Sequence, residues 1–167
     1  ELTGSLPRFS VELARFLSRS HEVHVYAIAR RTDRSLVPGV TFHDVPVSAL
    51  GDGGGFSARE LLSFARNAAT LLDDASYDVV HVRAPSTWRG DVLHVPGVVR
   101  GEAAIQHITP ARLIATTVRH PGNAARWLIE RRALDNRALR RIHVDAPSVR
   151  DDLFERHRRI EDSQFGQ

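Results

Sequence analysis

His81 and Arg83 close one short apolar run, Tyr77-Asp78-Val79-Val80-His81-Val82-Arg83, and His94 and Gly97 close a second, Asp91-Val92-Leu93-His94-Val95-Pro96-Gly97. Imidazole and guanidinium groups hold oxygen atoms and, for imidazole, move protons near neutral pH. Each run has an Asp before it and a polar or turn-forming residue at its end, the pattern of a strand buried on both faces of a parallel sheet. In open α/β sheets ligands bind beyond the carboxyl ends of the strands, so His81, Arg83, His94 and Gly97 fall where chemistry is expected. The run over 77–83 is expected to be the central strand.

Other chemistries are weaker in the sequence. Thr3-Gly4-Ser5 precedes a helix, where backbone N–H groups would face a docked anion. Gly51-Asp52-Gly53-Gly54-Gly55 has the glycines of a phosphate cradle, but no Lys-Ser/Thr follows and no strand leads into it, so it reads as a mobile connection. A nicotinamide-binding turn needs G-x-G-x-x-G, and only Gly4 is in place. Nine histidines invite a metal. Yet there is no HExxH and no cysteine, and His21 and His24 point to different faces, so no metal site is expected.

Alternating strands and helices would position these groups. Leu6, Phe9, Leu13, Phe16 and Leu17 recur at helical spacing, with Pro7 in the first turn, and predict a helix over 6–19. Strands are predicted over 22–29 and over 40–46, the latter bounded by Pro38-Gly39 and Pro46. Ser57 and Glu60 form a capping box for a helix to about residue 75 with a stripe of Leu61, Leu62, Ala65, Ala68, Ala69 and Leu72. The loop over 84–90 is too short for a crossover helix, and 98–119 reads as loop plus a loose helix. A helix runs from Pro121 to about 139, studded with Arg126, Arg131, Arg132, Arg137, Arg140 and Arg141. Ile142-His143-Val144-Asp145 is a short last strand, and Ser148 with Asp151 caps a final helix through Leu153 and Phe154.

This order gives a doubly wound, mainly parallel α/β sheet of Rossmann-like type. One domain is expected over 1–158, with a tail over 159–167. A helix opening such a fold normally follows a strand, so a strand is expected upstream of Glu1, and the absence of methionine suggests a fragment.

Composition bounds the partners. The 167 residues are 42% apolar and 26% charged, enough for one buried core. All 23 basic side chains are arginine, and the net charge of +3 is too modest to imply nucleic acid. No run approaches the roughly 20 apolar residues that span a bilayer, and with no cysteine a cytoplasmic location fits best. Membrane contact would be peripheral, at the inner face.

Several segments resemble one family. Gly4-Ser5-Leu6-Pro7-Arg8-Phe9, followed by His21-Glu22-Val23-His24-Val25, is similar to the opening of family-4 glycosyltransferases. Tyr77-Asp78-Val79-Val80-His81-Val82 resembles a later strand of that family. Ile129-Glu130-Arg131-Arg132 and Asp145-Ala146-Pro147-Ser148-Val149-Arg150-Asp151-Asp152-Leu153 resemble its late segment, with Ala146 where the family has serine. The resemblance covers about residues 4 to 158 and is to the N-terminal, acceptor-binding half of a two-domain GT-B enzyme.

That resemblance implies a retaining transferase of sugar from a nucleotide-sugar, with the donor as co-substrate and no cofactor in this chain. Gly4 and Ser5 would form the loop facing the donor phosphates. His81, Arg83, His94, Gly97, Arg100 and Glu102 would line the acceptor site, with His94 the catalytic candidate. The acceptor would be a sugar, a lipid-linked molecule or another small molecule. The family's donor domain carries two glutamates eight positions apart; no such pair occurs here, so the chain alone is expected to be inactive and to need that domain as partner. The alternative is a non-enzymatic module docking on anionic lipid or an acidic partner through the arginines of 126–141.

Overall fold

The structure, a computed structural model, describes residues 5–29, 32–48, 56–84, 86–96, 121–156 and 165. The chain divides into two compact units, Glu1–Pro46 and Val47–Gln167. The described residues form an α/β fold with two small sheets, both all-parallel. Among them no helix is long and apolar enough to cross a membrane.

In the first unit, helix α1 (Ser5–Leu17) is followed by strands β1 (His24–Ala27) and β2 (Thr41–Asp44), which pair in parallel with His24 opposite Thr41 and Ala27 opposite Asp44. A 3-10 turn at Arg34–Leu36, capped by the Asp33 side chain, lies on the connection between the strands. The Asp44 carboxylate then accepts the Ala29 N–H at 2.9 Å and ties the end of β2 to the residues just past β1. The apolar stripe expected of α1 is only partly realised. Among the described side chains of α1, Ala14 is the buried one, whereas Phe16 keeps 66% of its surface exposed.

The second unit contains helix α2 (Ala58–Asp73), strands β3 (His81–Arg83) and β4 (Val92–Val95), helix α3 (Pro121–Leu134), strand β5 (Arg141–Val144) and helix α4 (Pro147–Arg156). The capping box of α2 is formed as the sequence predicts: Glu60 N–H donates to Ser57 Oγ, and Ser57 N–H donates to Glu60 Oε2 at 2.8 Å. Ala65, Ala68 and Ala69 on α2 and Ala125 and Ile129 on α3 are buried, and the two helices pack together; alanines let backbones approach closely. Val82, Leu93, Val95, Ile142, Ala133, Leu139, Val149 and Leu153 form one apolar cluster.

The sheet order is β3-β4-β5, so β4 is central and the expected central strand is an edge within the described sheet. Only His81–Arg83 of that run is strand, and Val79 is 61% exposed, so the run is not buried on both faces. The reason is local. Val80 is the last residue tied to the β4 side, through its carbonyl to Asp91 N–H and Val92 N–H, and residues 77–79 precede that ladder.

Adjacent parallel strands usually need a crossover of a dozen residues or more. Here residues 84–91 return the chain from β3 to β4, and the loop is fastened to α2. Thr87 Oγ1 donates to the Ala65 carbonyl at 3.1 Å, and Arg89 Nε bonds Asp73. Ala84, at the exit from β3, has φ of +48° and donates its N–H to the His94 carbonyl at 2.8 Å.

Two further expectations are corrected. α3 ends at Leu134 because Asn136 turns the chain, accepting the Ala138 N–H and donating to the Gly90 carbonyl. The arginines of 126–141 therefore do not share one helix: Arg137 lies in the turn, Arg140 just before β5, and Arg141 opens β5. The last helix begins at Pro147, a residue suited to a first helical position, so Ser148 sits inside the first turn and is not its cap.

Candidate functional site

The parallel register aligns side chains across the three strands of the second unit. Arg83 pairs with His94, and His94 pairs with His143. Register partners in a pleated sheet share a face, as do residues two apart on one strand. His81 and Arg83 on β3, His94 on β4, and His143 with Asp145 at the end of β5 therefore stand on one face. Val82, Leu93 and Ile142 point the opposite way into the apolar cluster.

The ring geometry follows that register. The His81 and His94 rings lie nearly parallel, 6.2 Å apart, and the His94 and His143 rings meet edge to face at 4.8 Å. His94 is 1% exposed and sits in the middle of the row, while His81, His143 and Asp145 are exposed at its margins. His94 Nε2 lies 2.7 Å from Asp145 Oδ1. A carboxylate only accepts, so Nε2 carries the proton and donates it to Asp145.

Charge within the row is unevenly shared. Loss of water around the His81 ring pushes its pKa below the ordinary histidine value, and the nearby His94, Arg83 and His143 add to that shift. Burial also lowers the pKa of Arg83, opposed by the negative charge of Asp145. Arg83 and Asp145 thus feel each other across the sheet.

Of the residues the sequence singled out, the structure brings His81, Arg83 and His94 together. His81 opens β3 and does not end it, and so stands one row behind Arg83. Ser5 is the first residue of α1. Gly4, Gly97, Arg100 and Glu102, with the glycine run 51–55, the stretch 98–119 and most of the tail, lie outside the described residues.

Sequence reasoning passed over His143 and Asp145. The expectation of no metal rested on short-range spacing, yet ring nitrogens of His94 and His143 and a carboxylate oxygen of Asp145 lie within 4.8 Å of one another, drawn from β4, β5 and the residue just past β5. The available signal was His143-Val144-Asp145, polar at two alternate positions around the end of a short strand. A second polar group occurs in the first unit, where His24 Nδ1 lies 2.8 Å from His43 Nε2 and His24 Nε2 lies 3.0 Å from Glu22 Oε1, with Tyr26 stacked on His43.

The helical arginines have local partners. Arg131 lies over Trp127 and Arg132 over Trp88, at 5.5 Å and 5.1 Å from the ring centres. No family model, curated protein or solved structure compared with this chain matches it.

Proposed function

We propose that the chain is the acceptor-binding half of a retaining glycosyltransferase of doubly wound, GT-B type, acting at the cytoplasmic side on a sugar or lipid-linked acceptor. The observation that supports this reading is the polar row Arg83, His94, His143 and Asp145 near the carboxyl ends of three parallel strands, where α/β sheets take their ligands.

In this reading the groups divide their work by exposure. Asp145 and His143 are the exposed groups that meet acceptor hydroxyls, with Arg83 beside them as a fixed positive charge. His94 is too enclosed to meet a ligand broadly, and its Nε2–H donated to Asp145 fixes the carboxylate that does. His94 is then a positioning residue. Holding the acceptor oxygen in line would supply the proximity part of catalysis, while charge on the leaving diphosphate would be met by the separate donor domain.

The test is titration of the isotopically labelled chain with a panel of monosaccharides and polyols, followed by amide spectra, alongside a turnover assay with nucleotide-sugars. Saturable shifts at residues 81–83, 94 and 143–145 are expected, reduced in Asp145→Ala, with no turnover. Absence of any acceptor-dependent shift, or glycosyl transfer by this chain alone, would overturn the reading.

A further inference from the structure

The hydrogen bond between His94 and Asp145 is the ordinary way to satisfy a buried imidazole, but it leaves His143 unexplained. His143 is exposed on β5, directly beside His94 in register, and turns its ring edge-on to that of His94 at 4.8 Å. Asp145 follows two residues later on the same face. The outcome is two imidazoles and one carboxylate whose ligating atoms all fall within 4.8 Å of one another.

We propose that His94, His143 and Asp145 bind a divalent transition-metal ion of the zinc type. The donor set selects the class of ion. Imidazole nitrogen suits zinc, cobalt, nickel and copper, whereas magnesium and calcium take all-oxygen shells. Two histidines and one carboxylate make three protein ligands, leaving one position of a tetrahedral shell to water or substrate.

The distances are close to what ligation needs. Bonds of about 2.0–2.1 Å in a tetrahedral shell set ligand atoms about 3.4 Å apart. His94 Nε2 and Asp145 Oδ1 stand at 2.7 Å and would part slightly to admit the ion between them. His143 and Asp145 are exposed and can rotate inward, while His94 is held by the strand on either side and serves as the fixed point. Ligation through Nε2 of His94 needs that nitrogen's lone pair, so the neutral ring changes tautomer: the proton now donated to Asp145 leaves Nε2 and Nδ1 takes one up, with no net change in the ring's charge. The ion enters from the solvent side of His143 and Asp145.

Arg83 faces the same row and opposes a cation. An anionic oxygen in the open position would lie against both the metal and Arg83, so a phosphate or carboxylate group is the expected fourth ligand. His81, with its ring 6.2 Å from that of His94, is a neighbour and not a ligand.

The proposal goes beyond the acceptor reading and is measured without sugar. The chain, free of any histidine tag and stripped with chelator, is titrated with Co(II) while the visible absorption is followed, and zinc affinity is read by competition. One equivalent per chain with the intense bands of low-coordinate cobalt is expected. His143→Ala and Asp145→Asn, both at exposed positions, should each weaken binding by more than roughly a hundredfold, since second-neighbour partners alone are worth about 10–100-fold. His24→Asn, in the other histidine group, should leave the affinity unchanged. Circular dichroism checks that each variant is folded. No saturable binding, equal binding by His143→Ala, or loss of binding only in His24→Asn would each overturn the proposal. None of those results bears on acceptor-dependent amide shifts, so the two readings fail separately.

Discussion

The carboxylate of Asp91 accepts the backbone N–H of Val80 at 2.9 Å. Its own backbone completes the junction: Asp91 N–H donates to the Val80 carbonyl, and the Asp91 carbonyl receives the N–H groups of Arg140 and Arg141. One residue thereby fastens the start of all three strands in the sheet that carries the polar row. A hydrogen bond to a charged group contributes about 1.5–3 kcal/mol, and Asp91→Ala should lower stability by about that amount in urea unfolding. Asp91→Asn keeps an acceptor oxygen and should lose less. Equal midpoints for Asp91→Ala and the parent chain would show that the bond contributes nothing.

Gly90 lies against the opposite face of β3. A Cβ at that position would stand 2.5 Å from Val82 Cγ2, closer than atoms approach. Gly90→Ala must push Val82 out of its place in the core or shift the loop, a cost of about 1–3 kcal/mol. Because the clash is with a side-chain methyl, Val82→Ala removes it. The double variant should therefore be less destabilised than the sum of the two single ones, by about 0.5–3 kcal/mol. Strict additivity would mean that the strain is taken up elsewhere.

How legible this was depended on the range of the interaction. Ser57 and Glu60 sit three residues apart, their reciprocal bonds are set by helix geometry alone, and the capping box could be read directly. The alternation of apolar runs marked β3, β4 and β5, yet which strand is central depends on pairing between distant segments, and so the edge position of His81–Arg83 was not legible. The same holds for the site. His81, Arg83 and His94 stood out because they end apolar runs; His143 and Asp145 join them only through the register of β5 on β4. Pro147 overrode the cap suggested by Ser148, since a fixed φ near the helical value favours it at the first turn.

Ala84 carries a left-handed backbone, φ +48°, at the point where β3 turns into its short return loop. That conformation costs a residue with a Cβ about 1–2 kcal/mol, and in the sequence Ala84 also precedes a proline, which restricts it further. Glycine adopts it freely but loses about 0.5–1 kcal/mol more chain entropy on folding. Ala84→Gly should therefore raise stability by up to about 1 kcal/mol, read as a higher thermal midpoint. A lower midpoint would show that the strain is relieved by contacts of the Ala84 methyl.

His81 makes the stability of the fold depend on pH. Partial desolvation, with His94, Arg83 and His143 nearby, holds its pKa in the folded chain below the ordinary value of about 6.5. Well above pH 6.5 the ring is neutral in both folded and unfolded chains and contributes no slope. As the pH falls through about 6.5 the unfolded chain takes up the proton first, so stability declines until the folded-state pKa is passed, after which the loss is constant. His81→Asn removes the group and with it this share of the decline. Unfolding midpoints from pH 8 to pH 5, measured with chelator present, should diverge between the two chains on the acidic side, with the variant losing less. Parallel curves over the whole interval would show that His81 is as freely protonated in the folded chain as in the unfolded one.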